Sequence, residues 1–174
     1  MKESKGLVGL GLTVLITAGL YVWSACAKVE MSALTAMDYA QIEQLYAQYN
    51  HYIDNGKDEG RAFANLFTPD GVLNTGSPGL GAVRGTAALA GLARTIGSPP
   101  PTVKASHYAV NIMIDPSPEG ATGSAYLLMI SSPRQGTSVT GLSGIYTDTL
   151  VRTPGGWKFK TRTVNQVTPA ESNR

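Results

Sequence analysis

From residue 37 onward, apolar side chains return first at a helical period and later at an extended one. Ile42, Leu45, Tyr46, Tyr49 and Ile53 form one stripe at helical spacing. Thr35-Ala36-Met37-Asp38 supplies a capping-box-like start for that helix, and Asn55-Gly56 supplies its stop. A second short helix is expected from Asp58 to Phe67, burying Phe63, Leu66 and Phe67. Thr68-Pro69-Asp70-Gly71 is turn chemistry, Val72 to Asn74 reads as a short strand, and Gly76 to Gly85 reads as a loop rich in glycine and proline. Thr86 is placed to cap a third helix that carries Leu89, Leu92, Ala93 and Ile96 and ends at Gly97. Ser98 to Pro101 cannot be helix interior, because the prolines there lack backbone donors.

Downstream, the pattern predicts four strands: Lys104 to Asp115, Ala121 to Ser131, Thr140 to Arg152 and Trp157 to Val167. Pro116 to Gly120 and Ser132 to Gly136 separate the first three, and Thr153-Pro154-Gly155-Gly156 is a tight hairpin signal. Helices first and an antiparallel meander last make an α+β domain with the helices covering one face of the sheet. A strongly curved sheet closed in this way leaves a pocket inside.

The N-terminus has a different pattern. Lys2 and Lys5 precede an apolar run from Leu7 to Val22, and Ser24-Ala25-Cys26-Ala27 follows. This is the layout of a secretory signal, with a small-x-small cleavage site ending at Ala27. Two other readings remain open: lipidation at Cys26 through a weak lipobox, or retention of the run as a membrane anchor of roughly 20 residues. In each reading the domain is exported, periplasmic or extracellular, and meets a membrane only through residues 1–27. Residues 28–36 then read as a linker, 37–167 as the domain and 168–174 as a polar tail. The chain has 174 residues and a net charge of +2, and 43% of its residues are apolar. Removing residues 1–27 takes away Lys2, Lys5 and Glu3 and leaves 12 basic and 11 acidic residues. No basic cluster suggests a nucleic-acid surface. Cys26 is the single cysteine and His51 and His107 are the two histidines, so neither a disulfide, nor a thiolate metal site, nor a His-rich one is expected.

Few residues remain to carry chemistry. Asp54 ends the first helix, where the helix dipole disfavours a carboxylate, and it sits beside the apolar stripe. The alternative is a solvent-facing Asp in an Asp-Asn-Gly turn. On the first long strand, simple alternation puts His107, Ala109, Asn111 and Met113 on one face and Tyr108, Val110, Ile112 and Ile114 on the other; the polar groups of the first face suit a pocket wall, and the alternative is a histidine on the exposed face. A carboxylate paired with a histidine makes a base: it fixes the ring tautomer and stabilises the imidazolium formed on proton uptake, with no metal or organic cofactor. His51, three residues before Asp54, reads as a surface residue. Tyr46 and Tyr49 point along the stripe and can donate to a substrate oxygen or pack the core. Arg162 in the last strand either binds the substrate or pairs with Asp148.

These residues also carry a resemblance. Ile42 to Tyr46, Ile53-Asp54, Phe67 to Gly71, Gly85, His107-Tyr108, Asn111-Ile112, Gly144 to Asp148 and Gly156 to Phe159 with Arg162 resemble, in order and spacing, the SnoaL-like (nuclear-transport-factor-2-like) group. The group includes polyketide cyclases, scytalone dehydratase and hexachlorocyclohexane dehydrochlorinase. The resemblance implies a cone-shaped, cystatin-like fold, with Asp54 and His107 as base dyad and Arg162 lining the pocket; the helix stripe and the strand face add Tyr46, Tyr49 and Asn111 as candidate substrate contacts. It implies a dehydratase- or elimination-type lyase acting on a small apolar, cyclic molecule, and homodimers or homotrimers formed through the sheet. The dehydrochlorinase carries lysine where this chain has Tyr49, which favours a hydroxyl-bearing or carbonyl substrate here. Isomerisation or cyclisation would use the same base, and a non-catalytic exported binding or assembly protein would use the same cone.

Overall fold

Thr35 opens helix α1 (Ala36–Asn55) through a reciprocal capping box. The Asp38 N–H donates to the Thr35 hydroxyl at 3.2 Å, and the Thr35 N–H donates to the Asp38 carboxylate at 2.9 Å. The computed structural model describes residues 33–77, 79–98, 103–133, 137 and 139–167. The expected export segment with Cys26, most of the expected linker and the tail from residue 168 lie outside the described residues. Asp38 is itself buried, and its other oxygen accepts from the Trp157 indole N–H at 3.0 Å and pairs with Arg152. The same carboxylate therefore starts the helix and ties it to the end of the sheet. The expected stripe of Ile42, Leu45, Tyr46, Tyr49 and Ile53 is buried along its whole length, and α1 stops at Gly56 in the left-handed conformation.

The second helix is shorter than the sequence suggests. A 3₁₀-type turn (Lys57–Gly60) leads into α2 (Arg61–Ala64), and Phe67 already belongs to strand β1 (Phe67–Asn74). Pro69 disfavours helical backbone at Thr68, and the extended Phe67 pairs with Phe159 instead. Gly60 is required where it stands. Its φ is 81°, and a Cβ there would lie 2.0 Å from the Ala90 carbonyl oxygen of helix α3 (Thr86–Ile96). The expected loop from Gly76 to Gly85 is interrupted by a three-residue strand, β2 (Ala82–Arg84), antiparallel to β1.

The four long strands appear where the extended period places them: β3 (Val103–Ser117), β4 (Gly120–Pro133), β5 (Val139–Thr153) and β6 (Gly156–Gln166). With β1 and β2 they form one curved, unclosed sheet in the order β2-β1-β6-β5-β4-β3, antiparallel except for β1 beside β6. The helices cover its concave face, and the core (Ile42, Tyr49, Phe63, Leu89, Leu150 and Phe159 among others) fills the space between the layers. Each large apolar side chain buried there contributes about 1.5–3 kcal/mol.

One irregularity changes which residues face inward. Val110 pairs with Tyr126 and Met113 with Ser124, so Asn111 and Ile112 oppose Ala125 alone. This is a β-bulge, with Asn111 at φ 54°. Before it, Ala105, His107 and Ala109 face the helices; after it, Ile112 and Ile114 do. Asn111 and Met113 are exposed on the outer face with Tyr108 and Val110. The alternation that grouped Asn111 with His107 fails because the bulge shifts its phase by one residue. Asparagine tolerates the left-handed region, whereas a β-branched residue does not. Asn111→Gly should therefore leave the urea midpoint nearly unchanged, and Asn111→Val should cost about 1–2 kcal/mol. Equal midpoints for the two variants would contradict the bulge assignment.

Candidate active site

β3 is an outer strand of the sheet, hydrogen-bonded to β4 alone. One side of its backbone is therefore unpaired, and the last turn of α1 lies against it. Asp54 reaches this edge with both oxygens. The His107 backbone N–H donates to Oδ2 at 2.9 Å, and the His107 ring Nδ1 lies 2.5 Å from Oδ1. Both side chains are 12% exposed. A carboxylate at a helix C-terminus is unfavourable by itself, but two donors from the strand edge offset that cost. The two-point hold also sets the ring. Nδ1 carries its proton toward the carboxylate, which leaves Nε2 as the free nitrogen.

His107 lines a cavity of about 350 Å³ between the helices and the concave face of the sheet. Tyr49 and Ile53 of α1, Leu92 and Ile96 of α3, and Leu73, Leu127, Met129, Leu142, Tyr146 and Val164 of the sheet make most of its wall. Thr75, Ser77 and Gln166 add polar groups. Gln166 donates to the Ser77 hydroxyl at 3.2 Å, and the Thr75 hydroxyl donates to the Gly81 carbonyl at 3.1 Å. A mostly apolar wall with a few polar groups suits a small organic molecule. His107 also borders an outer, more polar cleft of about 370 Å³ between α1 and the β3 edge, where Asn50, His51 and Lys104 lie. His51 is exposed and makes no bond to Asp54. Among the described residues, no group of three or more His, Cys, Asp or Glu side chains is arranged to hold a metal ion, and no helix is long and apolar enough to cross a membrane.

Three residues expected at the substrate lie elsewhere. Asn111 is turned to the outer face by the bulge. Arg162 is 0% exposed and does not line the cavity. Its Nε and Nη2 donate to the two oxygens of buried Asp148 at 2.8 and 2.7 Å, and its guanidinium lies 4.1–4.5 Å from the ring centres of Tyr46, Tyr49, Tyr146 and Phe159. Tyr46 is spent on the same knot, its hydroxyl donating to Asp148. The ion-pair reading of Arg162 holds, and its physical basis is legible in the register, since Asp148 and Arg162 are directly opposed on β5 and β6. Tyr49 alone of the four does line the cavity. Tyr146, which sequence reasoning left without a role, lines it too; the signal was its place in the same inward alternation as Asp148.

Burial raises the hydroxyls of Tyr46, Tyr49 and Tyr146, with Tyr49 pushed up to about 12. Burial alone would pull Arg162 down, but the Asp148 carboxylate and its hydrogen bonds overcome this and hold it above its ordinary range. A folded-state pKa above the unfolded value contributes stability that is fully present below the unfolded pKa and lost as pH rises through the folded one. For Tyr49 that window runs from 10.0 to about 12. Stability should therefore fall through this range, with tyrosine ionisation and unfolding coinciding by absorbance and circular dichroism; ionisation of these tyrosines in a still-folded protein would contradict it. Asp148→Ala should destabilise by about 3–5 kcal/mol, because it strands a buried guanidinium. A midpoint near wild type would show that Arg162 does not depend on that carboxylate.

The SnoaL-like domain family matches residues 35–163. No curated protein matches the chain significantly. Among solved structures, a variant of Rv3472, a Mycobacterium tuberculosis protein of unknown function, is similar at 22% identity, covering 79% of this chain and 81% of its own, with a TM-score of 0.67. A nuclear-transport-factor-2-like protein with a cystatin-like fold from Novosphingobium aromaticivorans is similar at 21% identity over 78% and 85%, with a TM-score of 0.64. A Catenulispora acidiphila protein solved in complex with S-DNPA is similar at 29% identity over 76% and 95%, also with a TM-score of 0.64. With the family spanning both the helical layer and the meander, and the fold shared with these structures, this chain belongs to the SnoaL-like domain family.

Proposed function

We propose that the protein is a cofactor-independent enzyme of the dehydratase or elimination type, acting on a small, apolar, ring-shaped molecule held in the 350 Å³ cavity. One observation carries the reading: the His107 ring is fixed by Asp54 on Nδ1 while the same side chain lines the apolar cavity. A base held in one tautomer and facing an apolar space can take a proton from a carbon acid, and Asp54 stabilises the imidazolium that results. Isomerisation and cyclisation begin with the same proton transfer, so they belong to the same reading. Tyr49 is the hydroxyl of the expected set that remains at the substrate. The S-DNPA complex of the Catenulispora protein supports a small molecule as the occupant of this fold. The N-terminal pattern of residues 2–27 supports an exported site of action.

The test begins with a thermal-shift screen of small cyclic hydroxy and keto compounds on the mature domain, residues 28–174, followed by a turnover assay on the compounds that bind. His107→Ala and Asp54→Asn should keep the fold and lower kcat by roughly 10²–10⁴-fold, the usual contribution of a positioned acid–base group. Turnover at the wild-type rate in His107→Ala would remove the histidine from the mechanism.

A further inference from the structure

The cavity has a second polar end, across the sheet from His107. His107 opposes Met129 on β4, and Met129 opposes Leu142 on β5. In the adjacent row, Ala109, Leu127, Gly144 and Gln166 oppose one another in turn from β3 to β6. Gln166 therefore stands three strand spacings from His107, about 14 Å along the sheet, and one two-residue step of about 7 Å along the strands. The curvature of the sheet shortens that span across the concave face. The wall between the two is apolar, since Leu127, Met129 and Leu142 all line the cavity.

The loop after β1 builds that second end. Gly76, at φ 65°, lets the loop press on β6, where a Cβ would lie 2.1 Å from the Val164 carbonyl oxygen. Ser77 follows, and its hydroxyl accepts from Gln166 Nε2 at 3.2 Å. Thr75 pins the loop: its hydroxyl donates to the Gly81 carbonyl at 3.1 Å and accepts the Ser77 N–H at 3.3 Å. Thr75 is thereby committed, and Gln166 is not. Its Oε1 accepts no hydrogen bond among the described residues, and the Ser77 hydroxyl keeps its own proton to donate. Both residues are half-buried in the cavity wall. No Asp, Glu, Lys or Arg side chain lines the cavity, so an acceptor beside a donor there matches a neutral hydroxyl.

We infer that Gln166, with Ser77 holding its amide, is a specificity-determining residue: its Oε1 accepts the hydroxyl of a substrate whose reactive C–H lies at the other end, beside His107. The substrate is then an elongated, largely apolar hydroxy compound, held by a polar group at one end and met by the base at the other. Only the orientation rests on the base reading given above. A site built to pair a hydroxyl discriminates against the analogue that lacks it, because the polar groups of the site then go unpaired.

The probes are 2-naphthol, a flat ring compound with a hydroxyl at one end, and naphthalene, which lacks it. Titrated against the protein, wild type should bind 2-naphthol about fivefold more tightly than naphthalene, the effect of one hydrogen bond. Gln166→Met keeps the length of the side chain without its acceptor, and should lose that preference while its Tm and naphthalene affinity stay at wild-type values. Gln166→Glu keeps an acceptor and should retain the preference. His107→Ala should retain it too, because the hydroxyl sits at the far end. Retained preference in Gln166→Met would overturn the proposal, as would a fall in that variant's Tm or naphthalene affinity, since the residue would then be structural. Loss of the preference in Gln166→Glu would make the amide a donor, and loss in His107→Ala would place the hydroxyl at the base; either overturns it. Naphthalene binding with no preference for 2-naphthol in wild type would overturn the role of Gln166 and leave the base reading standing. Binding of neither probe would overturn it as well, and turnover in His107→Ala would then decide the base reading by itself.

Discussion

A single carboxylate joins the helical layer to the open edge of the sheet. Asp54 ends α1 at the one side of β3 that has no neighbouring strand, and it accepts both the backbone N–H and the ring nitrogen of His107. The position is poor for a negative charge and an unpaired strand edge is poor for a backbone donor; each defect answers the other. The same contact orients the imidazole and leaves Nε2 as the ring nitrogen that the carboxylate does not hold. Asp38 plays a parallel part at the opposite end of the helix, where it caps α1 and binds Trp157 and Arg152. α1 is thus fixed at both ends by carboxylates, and the stripe between them packs on the concave face.

A second charged group organises the floor of the site without entering it. Arg162 is wholly buried, and its charge is balanced by Asp148 and surrounded by four aromatic rings. Two of those rings, Tyr49 and Tyr146, form part of the cavity wall. A buried ion pair of this kind is weak evidence for net stability, but removing one partner is costly. Its clearer consequence is geometric: the guanidinium sits against the tyrosine rings and sets their places.

The long elements were legible because a helical or extended period runs through most of each and turn residues mark their ends. The stripe of α1, the cap at Thr35 and Asp38, and the meander from β3 to β6 all followed from spacing and turn residues. What escaped were features that depend on partners far away in sequence. Phe67 leaves the second helix because β6 offers it a strand neighbour. β2 is three residues long, with Ala82 and Val83 as its only apolar signal, and exists because β1 pairs with it. Asn111 was misplaced because a bulge cannot be read from alternation. The meeting of Asp54 and His107 was expected from helix end, strand pattern and resemblance together. Tyr46 and Arg162 were drawn toward the substrate because sequence does not distinguish a polar group facing a cavity from one buried behind it. Tyr146 received no role, because sequence does not say which inward-facing aromatic borders a cavity.

The central claim is that His107 presents one free nitrogen to the apolar cavity while Asp54 holds the other. Nitrogen-15 and proton spectra of the imidazole, recorded with and without naphthalene, test it directly. The account predicts a slowly exchanging Nδ1 proton far downfield that disappears in Asp54→Asn, and an Nε2 signal that moves when naphthalene fills the cavity. A freely exchanging Nδ1 proton that ignores the Asp54 substitution, or an Nε2 signal indifferent to bound naphthalene, would contradict it.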